Sequence, residues 1–194
     1  MHVMPNADTV QRLEAIVRST PWLMQALEAA REVDAPDWLI GAGAVRTAVW
    51  DHLHGFDSTA EPADLDVAFF DSGDLTREHD EAVARALTKC RAGTPWDAKN
   101  QAAVHLWYRK RFGYEVEPLS STADGVATWP ETAACVGIRL EPDGGMTVVA
   151  PHGLDDLLGM VHRRNPARVS VEEYERRLRT KRIAERWPLA RVVR

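Results

Sequence analysis

The sequence predicts a single α/β domain in which helices and short strands alternate along the chain. Hydrophobic residues make up 45% of the 194 residues and charged residues 27%, a composition that is ordinary for a chain that buries one core. Apolar residues recur with the 3.6-residue period of helices in several stretches, and shorter stretches alternate or are continuously apolar. We therefore expect one domain over residues 1–194, with a core at about residues 35–150 and helical elements packed on it at both ends.

Two helices are predicted at the amino-terminal end. Asp8 or Thr9 supplies an N-cap for a first helix that ends near Ser19. Pro21 occupies a first-turn position, where proline is tolerated, and begins a second helix that ends near Arg31. Both helices have one apolar face, so we expect them to pack on the central core.

A strand, a glycine turn, a helix and a second strand follow in that order. The first strand is the short apolar stretch 38–40, and residues 41–44 form the turn. The helix after the turn ends at Gly55, a residue type that is common at helix C-termini, and 56–63 is a polar loop. The second strand, 64–69, alternates polar and apolar residues, which predicts that one of its faces is buried.

The carboxy-terminal half is predicted from the same periodicities. Asp143-Gly144-Gly145 lies between two strand-like stretches and is a strong hairpin signal. The predicted elements are a helix at 78–90, a strand at 93–98, a short helix within 120–129, hairpin strands at 135–140 and 146–149, a helix at 154–161 and a longer, charged helix at 171–187.

The net charge and the two cysteines each disfavour one class of function. The formal net charge of −5 disfavours a large, general nucleic-acid-binding face, although a local basic patch is compatible with it. Cys90 and Cys135 lack metal-ligand spacing, so we expect two buried, reduced thiols rather than a zinc site. No secretory signal and no membrane-length apolar run is recognisable. These features predict a cytoplasmic protein without a membrane partner.

Asp64 and Asp66 are the first candidate site residues. Side chains two positions apart on a strand point to the same face of the sheet. Mg²⁺ and Mn²⁺ prefer hard oxygen ligands, and Mg²⁺ is commonly held by one or two protein carboxylates together with waters and substrate phosphates. The pair therefore predicts a metal site. The alternative is a chance pair of aspartates on a surface strand.

The turn Gly41-Ala42-Gly43-Ala44 is the second candidate. Glycines let the backbone approach a phosphate closely, and the helix that follows presents unpaired N–H groups. Arg46, in the first helical turn, could reach phosphate oxygens with two parallel hydrogen bonds. The alternative is a tight strand-to-helix turn with Arg46 in a surface ion pair. Beside the carboxylate pair, the turn favours a metal-dependent enzyme that acts on a nucleoside triphosphate.

Asp97 and Lys99 are the third candidate. Asp97 lies between two apolar residues of a predicted strand, so its carboxylate could complete a metal triad or act as a general base toward an acceptor hydroxyl. Lys99 projects to the same face if the strand continues, and it could neutralise phosphate charge. The alternative is a polar strand end with a local ion pair.

Several further features favour structural interpretations. We expect His105 to be a hydrogen-bonded structural histidine and Trp129 to be a packed tryptophan rather than a base-stacking wall. Asp155-Asp156 is expected to complement the dipole at a helix start. The basic run at 176–182, like Arg163-Arg164, is interpreted as a solvated face interleaved with glutamates rather than as a triphosphate or RNA contact.

Together these segments resemble the nucleotidyltransferase superfamily that includes DNA polymerase beta and tRNA nucleotidyltransferases. Ala42-Gly43-Ala44-Val45-Arg46 looks like the G-G-x-V-R turn of the tRNA enzymes. The closer resemblance is to a bacterial family of small predicted nucleotidyltransferases that has no assigned substrate. The segments that resemble this family span nearly the whole chain: 43–46, 49–51, 64–67, 96–101, 129–133, 150–157 and 186–188.

The resemblance implies a mixed β-sheet flanked by helices, with a β-hairpin and C-terminal helices, and two-metal nucleotidyl transfer. The catalytic residues and the ligands of Mg²⁺ or Mn²⁺ would be the same three carboxylates: Asp64, Asp66 and Asp97. The nucleotide-binding residues would lie along the turn and next to the third carboxylate: Gly41, Gly43, Ala44, Arg46 and Lys99.

The chain departs from the superfamily pattern at Ala44, where a serine hydroxyl often contacts phosphate. Backbone N–H groups, Arg46 or Thr47 would have to replace that contact. The resemblance implies transfer of a nucleoside monophosphate from a nucleoside triphosphate to an unidentified acceptor (an RNA end, a protein or a small molecule), with release of pyrophosphate. Two alternatives use the same residues: a non-catalytic nucleotide-binding regulatory module and a metal-dependent phosphohydrolase.

Overall fold

A five-stranded mixed β-sheet lies at the centre of the fold in a computed structural model that describes residues 6–57 and 62–193. Its strands are β1 Leu39–Gly41, β2 Leu65–Phe69, β3 Trp96–Asn100, β4 Gly137–Leu140 and β5 Met146–Val149. The strand order is β3-β2-β1-β4-β5. β2 and β3 run parallel, whereas the other neighbouring pairs are antiparallel. The mixed sheet and the β4–β5 hairpin confirm the predicted fold class.

Helices flank this sheet. They are α1 Ala7–Arg18, α2 Pro21–Val33, α3 Ala42–Leu53, α4 Arg77–Cys90, α5 Val104–Phe112, α6 Thr122–Ala127, α7 Asp155–Leu158, α8 Val171–Lys181 and α9 Ile183–Arg186. Two further strands, β6 Val161–Arg163 and β7 Arg191–Val193, pair in parallel as a separate small sheet. The C-terminal helices are therefore followed by a strand that returns to the body of the domain.

The hydrophobic core is built from the sheet together with α1, α2, α3 and α4. Two buried tryptophans attach distant segments to α3. The indole N–H of Trp187 donates to Asp51 Oδ1 at 2.6 Å, and that of Trp50 donates to the carbonyl oxygen of Leu157 at 2.8 Å. A buried indole N–H needs such a partner. These bonds fix the C-terminal segment against the helix that begins directly after β1.

Predictions for the first half of the chain are correct apart from boundaries and one cap. The predicted cap of α1 is wrong, because Asn6 Oδ1 accepts the backbone N–H of Asp8 at 3.1 Å. The helix α3 begins at Ala42, inside the predicted glycine turn, with Gly41 at its N-cap. Gly55 adopts φ = 67°, the left-handed conformation expected just after a helix end.

Two helices predicted near the C-terminus are too long. The helix predicted over 154–161 ends at Leu158, because Met160 adopts φ = 52° and β6 then begins. The helix predicted over 171–187 is interrupted at Arg182, whose φ of 48° separates α8 from α9. A residue in the left-handed conformation cannot continue a right-handed helix. The hydrophobic periodicity does not reveal such a conformation, so both helices were predicted too long.

Helix α5 and the small β6–β7 sheet were not predicted. Leu106 is 59% exposed and Trp107 37% exposed, so the bulky residues of α5 do not fall on a single buried stripe. A helix without such a stripe gives no amphipathic signal. The strands β6 and β7 are each three residues long, which is too short for a clear alternation.

Three remaining expectations concern the loop, the membrane and the cysteines. Residues 58–61 of the predicted loop lie outside the described residues. Within the described part of the chain, no helix has both the length and the apolar character needed to cross a membrane. Both cysteines are free. Cys135 is buried as expected, but the prediction is wrong for Cys90, which is exposed.

Candidate active site

Three carboxylates lie together near the beginning of the parallel strand pair. Asp64 immediately precedes β2, Asp66 is the second residue of β2, and Asp97 is the second residue of β3. The parallel register places Asp66 directly opposite Asp97. All three line one cavity of about 400 Å³, called here the carboxylate cavity. The alternation of β2 explains this placement, since Leu65 and Val67 pack into the core on its other face.

The carboxylate of Asp66 is electrostatically strained. Burial raises its pKa, and the neighbouring charges of Asp64 and Asp97 raise it further, to about 6. Lys181 and Lys99 act in the opposite direction and only partly compensate. A buried carboxylate that faces two others stays ionised at neutral pH at a cost in free energy. A cation bound between these groups would remove that cost.

The donor set fits a hard divalent cation. Asp64 and Asp66 make no ion pair within 4 Å in the described residues, so their oxygens are available. No group of three or more Asp, Glu, His or Cys side chains in the described chain is arranged to hold a metal ion. The three carboxylates therefore lie near one another without forming a ready-made three-ligand site in the described residues. One or two protein carboxylates are sufficient for Mg²⁺ when phosphates and waters supply the remaining ligands.

The third carboxylate is engaged by a lysine. Lys99 Nζ lies 2.6 Å from Asp97 Oδ1, and both side chains are about half exposed. The predicted same-face placement of these two residues is therefore correct, as is the local ion pair that was its alternative. An exposed ion pair of this kind contributes little to stability, roughly 0 to 1 kcal/mol, so it can open readily when a ligand competes for either charge.

The residues of the predicted glycine turn have different surroundings. A Cβ on Gly41 would lie 2.6 Å from the Trp129 ring and from the Val136 carbonyl oxygen, so this glycine is required by packing. A Cβ on Gly43 would meet no atom within 4 Å, and Gly43 lines the carboxylate cavity. Ala44 is fully buried, with its methyl group in the core. Only Gly43 leaves open space above the helix N-terminus.

The first turn of α3 faces the carboxylates across the cavity. Ala42 lines the cavity and adopts φ = 52°, a left-handed backbone conformation that is strained for alanine. Its N–H donates a hydrogen bond to the carbonyl oxygen of Val136 at 3.3 Å. The N–H groups of Gly43 and Ala44 belong to the first turn, where no intrahelical acceptor exists. Of these two residues only Gly43 lines the cavity, where its N–H could donate to an anion.

Arg46 is buried rather than on the surface. Its guanidinium carbon lies 5.6 Å from the ring centroid of Trp50 and 5.5 Å from that of Trp187. Its Nη1 lies 3.7 Å from Glu131 Oε2, and its Nε has no hydrogen-bond partner in the described residues. The alternative of a surface ion pair is therefore wrong in its location, because the ion pair between Arg46 and Glu131 is buried. Arg46 still lines the carboxylate cavity, with one donor unused.

Glu131 organises the arginines on this side of the cavity. Arg177 donates two hydrogen bonds to it, Nε to Oε1 at 2.6 Å and Nη2 to Oε2 at 3.1 Å. Burial acts to raise the pKa of Glu131, but the hydrogen bonds and charge of Arg177, with the charge of Arg46, lower it overall. Glu131 lies in the segment 129–133 that resembles the family, but it was not among the predicted site residues, because a buried carboxylate in a short irregular segment has no periodic signal.

A neutral histidine lies behind this network. His162 is buried, and its Nδ1 lies 3.0 Å from the hydroxyl of Tyr174. Burial lowers its pKa to about 4, and the charges of Arg46 and Arg177 act in the same direction against that of Glu131. The arginines therefore face one negative and one neutral group, which leaves them a surplus of positive charge.

Two cations in the carboxylate cavity lack a carboxylate partner. Arg111, near the end of α5, and Lys181, at the end of α8, both line the cavity. Neither makes an ion pair within 4 Å in the described residues. The basic run of α8 is thus divided. Arg176 pairs with Glu173 and Arg182 pairs with Glu185 at the surface, as the solvated-face interpretation expected, whereas Lys181 does not.

The other features weighed in the sequence have structural surroundings. Asp156 lies at the start of α7 and accepts hydrogen bonds from Arg163 and Thr132, in agreement with the helix-start interpretation. Trp129 packs against Gly41 and also lines the carboxylate cavity. Nδ1 of His105 is buried without a hydrogen-bond partner in the described residues, so the predicted hydrogen bond is not seen at that nitrogen.

The fold and the carboxylate cavity together define the polymerase beta-like class of nucleotidyltransferase domains. The chain belongs to the nucleotidyltransferase family, whose model, described as "Nucleotidyltransferase", matches residues 28–192. A search of curated proteins gives no match. Family membership therefore rests on a match over most of the chain.

Solved structures support the same assignment. An NMR structure said to reveal a CCA-adding enzyme head domain is 26% identical, covers 94% of this chain and 95% of that chain, and has a TM-score of 0.78. A CCA-adding enzyme with CTP and the Thermotoga maritima CCA-adding enzyme complexed with tRNA are each 15% identical, with TM-scores of 0.57 and 0.56. Both cover 94% of this chain, but only 43% and 42% of their own chains, so they share its fold across less than half their length.

Proposed function

We propose that this protein transfers a nucleoside monophosphate from a nucleoside triphosphate to an acceptor hydroxyl, with a divalent metal and with release of pyrophosphate. The observation that carries the proposal is the composition of the carboxylate cavity. Three carboxylates on or next to two parallel strands line one cavity with Gly43 at a helix N-terminus and with the cations Arg111 and Lys181. Carboxylates suit a metal, and the amides and cations suit a triphosphate.

Asp64 and Asp66 would hold Mg²⁺ or Mn²⁺, with Asp97 as the third carboxylate. The metal, when bound, stabilises the charge that develops on the transferring phosphoryl group and on the leaving pyrophosphate. The strained ionisation of Asp66 supports this assignment, because a bound cation would relieve it. The match to the nucleotidyltransferase family supports it from an independent direction.

The triphosphate would lie against the first turn of α3. The N–H group of Gly43 would donate to its oxygens, whereas Ala44 is fully buried and offers no hydroxyl. Lys181 and Arg111 would neutralise its charge, and the unused Nε of Arg46 is a further donor. The backbone and these cations would thus do the work that a serine performs in many superfamily members.

The chemical step is an in-line substitution at the α-phosphorus. The acceptor hydroxyl oxygen forms a bond to that phosphorus, the bond from the phosphorus to the bridging oxygen breaks, and pyrophosphate leaves. The hydroxyl proton passes to the carboxylate of Asp97. Lys99 would release Asp97 for this role and turn toward phosphate, a change that an exposed ion pair permits.

A regulatory, non-catalytic nucleotide-binding module is the second candidate. The contact between Lys99 and Asp97 favours it, because a carboxylate oxygen that a lysine holds at 2.6 Å is less available to a metal or an acceptor than a free one. Such a module would bind nucleoside triphosphate without releasing pyrophosphate. A phosphohydrolase on the same residues would release phosphate or monophosphate without needing an acceptor.

Incubation with each α-³²P-labelled nucleoside triphosphate, Mg²⁺ or Mn²⁺ and a panel of hydroxyl acceptors tests the proposal. We expect labelled acceptor and pyrophosphate in equal amounts. Asp66→Asn should abolish both products, while Glu78→Gln, an exposed change on α4, should leave them intact. Nucleotide binding without any product would favour the regulatory module, and labelled monophosphate without an acceptor would favour the hydrolase.

A further inference from the structure

A second cavity of about 570 Å³ adjoins the carboxylate cavity. Its lining is mainly apolar. Five of the lining residues are aromatic: Trp107, Tyr108, Phe112, Tyr114 and Trp129. We call it the aromatic cavity. Its volume falls in the range of sites that bind small molecules. None of the roles assigned above uses its aromatic rings, apart from the packing of Trp129.

The rings are held in place yet accessible. Tyr108 is buried and contacts its neighbours through its ring, with centroids 4.5 Å from Phe112 and 5.3 Å from Tyr114. The hydroxyl groups of Tyr108 and Tyr114 lie 3.1 Å apart, and Tyr114 also donates to the carbonyl of Arg168. Phe112 and Tyr114 nevertheless remain 43% and 44% exposed. Large rings that are fixed but exposed are suited to stacking on a planar ligand.

The lining of the aromatic cavity has more cations than carboxylates: Lys99, Arg168, Arg176 and Arg177 against Glu172 and Glu173. Arg176 and Arg177 are paired with Glu173 and Glu131. Arg168 makes no ion pair within 4 Å in the described residues, and its guanidinium carbon lies 5.1 Å from the ring centroid of Tyr108. Stacking fixes an arginine in position while leaving its donors free, so the site presents an anion-binding group beside its rings.

The two cavities meet next to the proposed general base. Lys99 and Gln101 line both of them, and Lys99 is the residue in contact with Asp97. Trp129, Pro130 and Arg177 also line both. A ligand in the aromatic cavity can therefore extend past Lys99 toward Asp97.

We propose that the aromatic cavity binds the acceptor, and that the acceptor carries a planar ring together with an anionic group. The ring would stack on the exposed aromatic side chains, the anion would pair with Arg168, and a hydroxyl would point toward Asp97. This assignment rests on the proposed function, because only a transferase has an acceptor. A free small molecule and the terminal unit of a nucleotide chain share this chemistry.

Three probes separate the contributions of ring and anion. AMP contains both, adenosine contains only the ring, and ribose 5-phosphate contains only the anion. Each is titrated by calorimetry into the protein saturated with Mg²⁺ and an α,β-methylene analogue of CTP. The indole N–H signal of Trp107, assigned among the seven tryptophans by Trp107→Phe, reports binding at the site in two-dimensional NMR.

We expect AMP to bind more tightly than either part and to shift the Trp107 signal. Trp107→Ala and Arg168→Gln should each weaken AMP binding by about fivefold or more, the loss that removal of a stacking ring or a charged donor produces. The matched controls on α5 are Leu106→Ala and Arg109→Gln. Both residues are exposed and line neither cavity, so their variants should bind AMP like the wild type.

Three results would overturn the proposal: no shift of the Trp107 signal, AMP binding that the two cavity variants leave unchanged, or displacement of AMP by the CTP analogue. The last result would mean that the nucleoside triphosphate itself occupies the aromatic cavity. These outcomes are separate from the fate of the proposed function. Transfer to an acceptor without a ring would contradict the acceptor site alone, while AMP binding without any pyrophosphate release would contradict catalysis alone.

A fourth probe identifies the source of the acceptor. A short single-stranded oligoribonucleotide is compared with AMP under the same conditions. Binding of the oligonucleotide at least about tenfold more tightly than AMP, with the same dependence on Trp107 and Arg168, would support a chain end. Equal or weaker binding would support a free small molecule. Oligonucleotide binding that survives both substitutions would contradict the aromatic cavity as the acceptor site.

Discussion

Glu131 and Asp66 are carboxylates on the wall of the same cavity, but the charges around them have opposite signs. Glu131 is buried, whereas Asp66 is half-buried. Glu131 accepts two hydrogen bonds from Arg177 and lies near Arg46, and its pKa is lowered. Asp66 faces Asp64 and Asp97, and its pKa is raised to about 6. Burial acts to raise the pKa of both groups, so the difference comes from the neighbours.

The comparison distinguishes a structural carboxylate from a functional one. Glu131 is satisfied within the protein, and it holds two arginines near the cavity without needing a ligand. The charges of Lys181 and Lys99 only partly offset those of Asp64 and Asp97 around Asp66. A carboxylate in a cleft with such a raised pKa is a candidate functional group with a physical rationale. Four substitution experiments test whether the two carboxylates differ in this way.

The largest effect is expected on nucleotidyl transfer. Asp64→Asn and Asp66→Asn should each reduce the rate by roughly 10³-fold or more, because several kcal/mol of charge stabilisation depend on the bound cation. Labelled-nucleotide transfer measures this loss. A residual rate within tenfold of wild type in either variant would mean that these carboxylates do not hold the catalytic metal.

Stability should respond in opposite directions at the two carboxylates. Glu131→Gln should lower the free energy of unfolding by about 3 kcal/mol, because it leaves Arg46 and Arg177 buried without a counter-charge. Asp66→Asn should raise it by about 1 to 2 kcal/mol at pH 7.5, because it removes a strained charge. Urea unfolding in the presence of EDTA measures both changes. Destabilisation by both substitutions would contradict the comparison.

The stabilisation by Asp66→Asn should depend on pH. A raised carboxyl pKa in the folded state penalises only the ionised form, so the gain should be near zero at pH 4 and should grow until about pH 6. His162 contributes the opposite slope. Its pKa is lowered to about 4, so it costs stability as pH falls from about 6.5 to 4. Unfolding curves from pH 4 to 8 should show this acid sensitivity more clearly in Asp66→Asn than in the wild type.

We expect the same difference between two cations of the cavity: Arg177 should matter for stability and Lys181 for nucleotide binding. Arg177→Gln should destabilise the protein by about 2 kcal/mol, because Glu131 loses its hydrogen bonds. Lys181→Gln should change stability by less than about 0.5 kcal/mol and should raise the KM for nucleoside triphosphate about tenfold. Thermal unfolding and steady-state kinetics separate the two effects. The reverse pattern would exchange the assigned roles of Arg177 and Lys181.

The sequence predicted those features of the structure that depend on a local residue pattern. The alternation in β2 and the spacing of Asp97 and Lys99 predicted which side chains share a face, and the structure brings them together. The glycines were recognised, but not their separate surroundings. That Gly41 packs on Trp129 while Gly43 stays open depends on a contact with a residue far along the chain.

The parts that sequence reasoning missed are long-range or aperiodic. Glu131 became visible only through its contacts with Arg46 and Arg177, which come from different helices. The helix α5 was missed because its aromatic residues face a cavity rather than the core. The hydrophobic periodicity also gave no sign of the left-handed conformation of Arg182, which ends α8 directly after Lys181.

Binding of Mn²⁺ tests the central claim most directly. The wild-type protein and Asp66→Asn are titrated with Mn²⁺ in the presence of the non-hydrolysable CTP analogue, and free Mn²⁺ is followed by electron paramagnetic resonance. We predict that the wild type binds Mn²⁺ at least about tenfold more tightly than the variant, because the lysines near Asp66 only partly offset the charges of Asp64 and Asp97. Equal affinity in the two proteins would contradict it.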